Sequence, residues 1–132
     1  VNRWNGANTQ VYARGMIVAF LIDAAILRSS NGRDSLDGLL AQLYKKHGLT
    51  SPRTDANSAI LSVLEERDEL RGTVESYIKS SANIDLTSGL APFGIEQTGA
   101  DGPTKLRVRP KLARREKDLL DKLGYNNWRK KV

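Results

Sequence analysis

Few side chains in this sequence are suited to covalent or metal-dependent chemistry. The chain contains no cysteine and a single histidine, His47. Neither an H-E-x-x-H zinc motif nor a histidine-based triad can therefore exist within it, and thiolate metal sites and disulfides are excluded as well. We interpret His47, which follows two lysines in a predicted last helical turn, as an ordinary helix-end residue. The chain alone is predicted to be non-catalytic, with no metal site or cofactor of its own.

The main candidate for a chemical role is Tyr12, which is followed by Ala13, Arg14 and Gly15 at the front of a long apolar stretch. A phenol stays protonated at neutral pH, so it can donate a hydrogen bond to a developing negative charge without losing its own proton. The alternative is that Tyr12 merely packs at a helix start with its hydroxyl group in water. The residue types alone leave both interpretations open.

A second polar side chain, Asp23, interrupts the same apolar stretch. A buried carboxylate must be paired or hydrogen-bonded. The candidate partners are Arg28, Arg33 or a capping amide of the next helix. We favour this structural role over the alternative, which is a site that binds the amino group of a substrate.

The element that must position both residues is the apolar segment from 11 to 27. Seven consecutive apolar residues run from 16 to 22, so no polar face remains in its middle. A helix that is hydrophobic on all sides has to be surrounded by other elements. Its apolar run is shorter than the roughly 20 residues that a bilayer crossing requires, and Asp23 breaks it. We therefore predict a buried central helix from about residue 9 to 28, and no membrane anchor.

Two further helices are predicted from apolar periodicity and end signals. The second is capped by Ser35 and stopped by Gly48. Its apolar residues recur at helical spacing and predict a single buried face: Leu36, Leu39, Leu40, Leu43 and Tyr44. The third helix is capped by Thr54 or Asp55, and its apolar residues cluster towards its end.

The remaining elements are predicted to be shorter. A fourth helix covers about residues 68 to 79, and one or two packed turns are expected within 84 to 93. Alternation of charged and apolar residues from 105 to 109 predicts a strand, as half of a hairpin with residues 95 to 97. A proline then opens a basic helix over about residues 110 to 123.

These elements define a mainly α architecture. At 132 residues the chain is long enough for about one domain with one core. We predict a helical bundle around the central apolar helix, with a small β-strand or hairpin before a basic carboxyl-terminal helix. Residues 1 to 94 form the helical bundle, and residues 95 to 132 carry the β element, the basic helix and the tail, packed on the same domain.

The positive charge of the chain is concentrated near its carboxyl end. Residues 1 to 102 hold 10 Lys and Arg against 12 Asp and Glu, whereas residues 103 to 132 hold 11 against 3. With Tyr125 and Trp128 among these cations, the tail has the composition of a segment that binds nucleic-acid phosphates and stacks a base. We favour the alternative, which is a terminal helix that docks on an acidic neighbour or remains solvated.

Two segments resemble a known enzyme family. Residues 12 to 15, running into an apolar helix, resemble the Y-x-K/R-G segment of gluzincin zinc aminopeptidases. The continuation VAFLIDAAILRSSNGRDSLDGLLAQLY is similar to the glycyl aminopeptidase pattern G-x-x-x-A-x-x-L-D-x-x-I-R-x-x-S/T-x-G-x-x-S-L-D-D, except that Gly38 stands where a second acid is usual. The matching positions are Asp23, Ile26, Arg28, Gly32, Ser35, Leu36 and Asp37.

The later segment DELRGTVESYIKSSANIDLTSGLAPFGIE resembles the same family at Tyr77, Ile78, Leu90 and Gly94, with Thr73 and Val74 in place of a double phenylalanine. The resemblance covers roughly residues 9 to 96. It implies that this chain is the carboxyl-terminal helical part of a zinc metallopeptidase. Because the chain begins at Val1 without an initiator methionine, we expect a processed protein or a piece of a longer one.

The resemblance also implies partners and a site. The partner is a thermolysin-like zinc domain of the same protein, which carries the zinc and most of the anchor for the substrate amino group. The substrate is a peptide. In enzymes of this type the tyrosine hydrogen-bonds the oxyanion that forms when water attacks the peptide carbonyl at zinc, and Tyr12 is the matching position.

Overall fold

The computed structural model describes residues 6 to 48, 55 to 99, 102 and 104 to 124, with side chains from residue 10 onward. Within these ranges the chain is mainly helical, with one antiparallel hairpin before a last helix, so the predicted fold class is confirmed. The elements are α1 (Gly6–Ser29), α2 (Leu36–His47), α3 (Ala56–Glu65), α4 (Arg71–Thr73), α5 (Leu86–Leu90), β1 (Ile95–Thr98), β2 (Lys105–Val108) and α6 (Arg114–Lys122).

The fourth predicted helix is present but changes its winding along its length. A 3₁₀ turn, Asp68–Leu70, leads into α4, and a π turn, Val74–Ile78, follows directly. A second 3₁₀ turn, Ala91–Phe93, extends α5. The packed turns expected between residues 84 and 93 are thereby confirmed.

Helix α1 is central, and its carboxyl-terminal part contributes to two apolar clusters. The first cluster contains Val18, Ile22, Ile26, Leu39, Val63, Leu64, Leu70 and Val74. The second contains Leu21, Ala24, Leu27, Leu90, Phe93, Leu119 and Leu120. Because α1 is apolar around its whole circumference here, it can bury side chains on opposite sides at once. Helix α6 thus packs in the second cluster, against α1, α5 and the turn that follows α5.

The prediction that α1 is surrounded on all sides is wrong for its front part. Val11, Tyr12 and Met16 are 69%, 71% and 75% exposed. Helix α1 has 24 residues, whereas α2 and α3 have 12 and 10. At about 1.5 Å per residue α1 is roughly 36 Å long, about twice the length of either neighbour. The neighbouring helices are therefore too short to cover it from end to end.

One described helix has the length and composition of a membrane span. The segment Gln10–Ser29 has 20 residues and a mean hydropathy of 1.6, and 33% of the window is buried inside the protein. The apolar helical segment Gln10–Ser29 is longer than the uninterrupted apolar run of residues 16 to 22 that the sequence analysis considered. Core helices of soluble proteins have the same composition, and from Val18 onward α1 supplies side chains to both clusters.

Helix α2 has its predicted bounds, but the prediction of one fully buried apolar face is wrong. Leu39 is buried, and Leu36 and Leu43 pack partly against the first cluster. Leu40 and Tyr44 are instead 50% and 67% exposed. The five residues span an arc of about 140° at 100° per residue. The contact with the first cluster covers only one side of that arc.

The hairpin and the last helix also differ slightly from the predicted bounds. Strands β1 and β2 pair antiparallel, with Ile95 opposite Val108 and Thr98 opposite Lys105. Helix α6 begins at Arg114, four residues later than predicted, because the Glu116 carboxylate accepts a hydrogen bond of 2.8 Å from the backbone N–H of Ala113 and fixes the start there. Its end near Gly124, which has φ +96°, is as predicted.

Candidate functional site

Tyr12 lies on the part of α1 that extends beyond the packed core. Its side chain is exposed, and its hydroxyl group has no hydrogen-bond partner among the described residues. Val11 and Met16 beside it are exposed as well. The structure therefore places the phenol at an open, largely apolar surface and not among the aliphatic side chains of the core.

Arg14 holds this front part of α1 against the rest of the fold. Its guanidinium donates to the backbone carbonyls of Tyr77 at 3.3 Å and of Ala82 at 3.1 Å. Arg14 follows Tyr12 by two residues, which corresponds to about 200° around the helix. With Arg14 fixed on one side, the helix presents Tyr12 on the other. The sequence did not indicate this contact, because it joins residues far apart along the chain.

An apolar cavity of about 390 Å³ adjoins the Tyr12 surface. Its walls come from α1, the start of α5 and the hairpin, and its lining residues are Met16, Ile17, Phe20, Leu86, Thr104 and Leu106. Met16 follows Tyr12 by one helical turn, about 6 Å along the axis. The open surface around the phenol therefore continues into a concave apolar region.

Asp23 has the structural partner that we considered, a capping amide of the next helix. Its Oδ1 accepts a hydrogen bond of 2.8 Å from the backbone N–H of Leu36, at the start of α2. Ser35 occupies the cap position with extended φ and ψ, but its side chain makes no capping hydrogen bond. The carboxylate of α1 thus caps α2 in its place, which engages one of its oxygens in the fold.

A polar cluster around Asp34 joins the loop after α1 to the start of the 68 to 78 segment. Asp34 accepts from Arg67 at 2.9 Å and from the backbone N–H of Ser35 at 2.8 Å. These bonds, with that from Arg67 the stronger, hold the pKa of the Asp34 carboxyl below its ordinary value of 3.8. A Cβ at Gly38 would lie 1.9 Å from Asp34 Oδ1, so a second acid at position 38 does not fit this arrangement.

The described residues contain no group of three or more His, Cys, Asp or Glu side chains arranged to hold a metal ion. His47 is the last residue of α2, and its Nε2 lies 3.4 Å from Ser62 Oγ. The Ser62 hydroxyl group donates to the Ala59 carbonyl at 2.9 Å, so it already has an acceptor. This pair has the geometry of a helix-to-helix contact.

Some of the basic residues near the carboxyl end form ion pairs or hydrogen bonds with other residues of the fold. Arg107 pairs with Glu96 across the hairpin, and Arg109 pairs with Glu116 of α6. Arg115 donates to the Asn31 side chain at 3.2 Å, in the loop after α1. Tyr125 and Trp128, the aromatic residues of the predicted nucleic-acid segment, lie outside the described residues.

The fold and the site together describe a small helical domain whose central helix presents one phenol on an uncovered surface. Comparison with protein-family models, with curated proteins and with solved structures gave no match for this chain.

Proposed function

We propose that this chain is the carboxyl-terminal helical domain of a zinc-dependent aminopeptidase, which lines the substrate cleft and supplies Tyr12 to stabilise the oxyanion. The observation that carries the proposal is the exposure of Tyr12 on the uncovered front part of α1. A tyrosine that acts on a substrate at a domain boundary must not be buried in the core of its own domain. The exposed Tyr12 meets this requirement.

The surface around Tyr12 supports a domain boundary. Val11, Met16 and Ile17 are exposed apolar side chains on the same part of α1, and the cavity lined by Met16 and Phe20 continues that surface. Contiguous apolar surface of this kind marks an interaction site in soluble proteins. In the proposal, its partner is a thermolysin-like zinc domain of the same protein.

The chemistry assigned to this chain is limited to one hydrogen bond. When water adds to the carbonyl of a peptide, negative charge develops on the former carbonyl oxygen, and the Tyr12 O–H donates to it. A donor already held in place is worth more than a mobile water, because it need not reorient as the charge develops. Arg14 contributes by anchoring the helix that carries Tyr12. The proposal assigns zinc and the activation of water to the partner domain, because this chain has a single histidine and cannot contain an H-E-x-x-H motif.

The alternative function is a small basic module that binds nucleic acid or another protein. Arg107, Arg109 and Arg115 already have partners within the fold, which leaves fewer cations for phosphates. We therefore expect only weak binding of mixed-sequence DNA or RNA by this chain. Binding that weakens steeply as salt is added would favour the alternative over the peptidase domain.

The proposal is tested on the protein made from the whole reading frame that contains this chain. We expect one zinc ion per chain by elemental analysis, release of amino-terminal residues from short peptides, and loss of that activity on chelation. This chain alone is expected to be inactive in the same assay. A whole protein without an H-E-x-x-H motif and without peptidase activity would contradict the proposal.

A further inference from the structure

A cleft with a mixed polar and apolar lining lies on the opposite side of α1 from Tyr12. It has a volume of about 350 Å³ and is formed by α1, the 68 to 78 segment and α5. Leu21, which lines it, follows Tyr12 by nine residues, or about two and a half helical turns. The cleft is therefore separate from the Tyr12 surface. Its volume falls in the range of small-molecule sites, about 300 to 1,000 Å³.

One wall of the cleft is the π turn Val74–Ile78, which contributes Ser76 and Tyr77. Such turns are rare, and they occur frequently at functional sites. This one is held at two points. Arg14 donates to the Tyr77 carbonyl at 3.3 Å, and the Tyr77 hydroxyl accepts from the backbone N–H of Asp85 at 3.0 Å. The wall is thus fixed before any ligand binds.

Two opposite charges face the cleft without pairing with each other. Arg28 and Glu69 both line it, and both line an adjoining cavity of about 250 Å³. Their charged groups do not approach within the 4.0 Å of an ion pair, and Arg28 has no hydrogen bond or ion pair within the described part of the chain. Among the residues that the structure describes, Glu69 pairs with Arg67 through Oε1, at 3.4 Å.

The third charged residue of the cleft, Asp85, is occupied by the fold. Its carboxylate accepts from the Ser88 hydroxyl at 2.6 Å and from the Ser88 backbone N–H at 3.2 Å. Within the described part of the chain, Arg28 is therefore the unpaired cation of the cleft, and Glu69 keeps its second oxygen, Oε2, without a hydrogen bond. The lining also includes the apolar residues Leu21 and Ala25 and the hydroxyl-bearing residues Thr73 and Ser76.

We propose that this cleft binds a small zwitterion, a free α-amino acid with an apolar side chain. The ligand carboxylate pairs with Arg28, its ammonium group pairs with Glu69, and its side chain lies on Leu21 and Ala25. The guanidinium group suits a carboxylate because it offers parallel N–H donors. The site is independent of the proposed peptidase role, since it uses neither Tyr12 nor a metal.

The test is a titration of the full 132-residue chain with L-leucine, followed by the amide signals of the protein in solution NMR. We expect saturable shifts at Gly72, Ser76 and Ser88, which line the cleft. Arg28→Gln should weaken binding about tenfold or more, because it removes a charged hydrogen-bond partner. Arg33→Gln is the matched control, since Arg33 is exposed and does not line the cleft, and it should leave the affinity unchanged.

The ligand chemistry is tested with two blocked analogues. N-acetyl-leucine lacks the ammonium group and leucine amide lacks the carboxylate, so each should bind about tenfold more weakly than leucine. Glu69→Gln should weaken the binding of leucine and leave the affinity for N-acetyl-leucine unchanged. The proposal is overturned if leucine gives no saturable shifts at high millimolar concentration, if acetate or phosphate binds as well as leucine, or if Arg28→Gln and Arg33→Gln behave alike.

Discussion

At the scale of single residues, Asp23 joins two helices through one hydrogen bond. The amino end of α2 carries free backbone N–H groups, and the Ser35 side chain does not satisfy them. Asp23 Oδ1 accepts from the first of these, that of Leu36. The carboxylate that breaks the apolar pattern of α1 is thus explained by packing, and it sets the position of α2 against α1.

Replacing Asp23 tests this explanation. Asp23→Ala removes the acceptor and should lower the free energy of unfolding by about 1 kcal/mol. Asp23→Asn keeps a side-chain oxygen that can accept the hydrogen bond, so it should lower the free energy of unfolding clearly less. Urea denaturation of the three proteins measures the difference. Equal stability of the alanine and asparagine variants would show that the hydrogen bond to Leu36 does not matter.

Asp34 gives the fold a dependence on pH. Because Arg67 lowers its folded-state pKa, the interaction stabilises the fold fully above the ordinary value of 3.8 and is lost as the pH falls through the lower folded-state value. The Asp34 and Arg67 side chains are 36% and 17% exposed. Partial exposure reduces the contribution, so we expect Asp34→Asn to cost about 1 kcal/mol at pH 7.

The difference between the wild type and Asp34→Asn should shrink towards zero as the pH falls below the unfolded-state value. Urea denaturation at pH 7, 5 and 3 measures it. Asp118→Asn is the control, since Asp118 is exposed on α6, and its effect should be small at each pH. A difference for Asp34→Asn that stays constant down to pH 3 would rule out the charge pair as its cause.

At the scale of elements, Gly94 shapes the junction between the 3₁₀ turn Ala91–Phe93 and β1. Its φ is +71°, in the left-handed region, and a Cβ there would lie 2.3 Å from Leu112 Cδ2. Its carbonyl accepts from the backbone N–H of Arg109 at 2.8 Å, which continues the pairing of the hairpin one step beyond Ile95 and Val108. The backbone conformation therefore favours glycine, and a Cβ at this position would also have to displace the Leu112 side chain.

Gly94→Ala should lower the free energy of unfolding by about 1 to 3 kcal/mol, since strain and overlap add. Gly72→Ala is the matched control: no atom lies within 4 Å of a Cβ at Gly72, which belongs to α4. That change should be neutral or stabilise by up to about 1 kcal/mol. Thermal unfolding compares them, and equal effects of the two substitutions would refute the role of Gly94.

Elements with local signals were predictable from the sequence. Asp55 caps α3 by accepting a hydrogen bond of 3.2 Å from the Ser58 N–H. Gly48 ends α2, and the alternation of charged and apolar residues predicted β2. These features depend on neighbouring residues, so the sequence shows them directly. The exposure of the front of α1 was not predictable, since it depends on the lengths of the helices packed beside it. The exposure of Leu40 and Tyr44 was not predictable either, since it depends on which side of the apolar arc of α2 meets the first cluster. The cleft between Arg28 and Glu69 was also missed, because its walls come from three separate segments.

At the scale of the whole molecule, α1 has two roles along its length. From Val18 onward it builds the core on two sides, and before that point it carries exposed apolar side chains. The local signal at Tyr12 could be identified in the sequence, but its position on an uncovered surface required the fold. Our account is that this front part, anchored by Arg14, completes an active site with a second domain.

The most direct test of that account is the turnover of the full-length protein with Tyr12→Phe. Removing one hydrogen-bond donor to an oxyanion should lower kcat by about 10² to 10³-fold, with zinc content and stability unchanged. Tyr44→Phe is the control, because Tyr44 is similarly exposed at 67% on α2 and should keep full turnover. A Tyr12→Phe enzyme with normal zinc content and a kcat close to that of Tyr44→Phe would contradict the account.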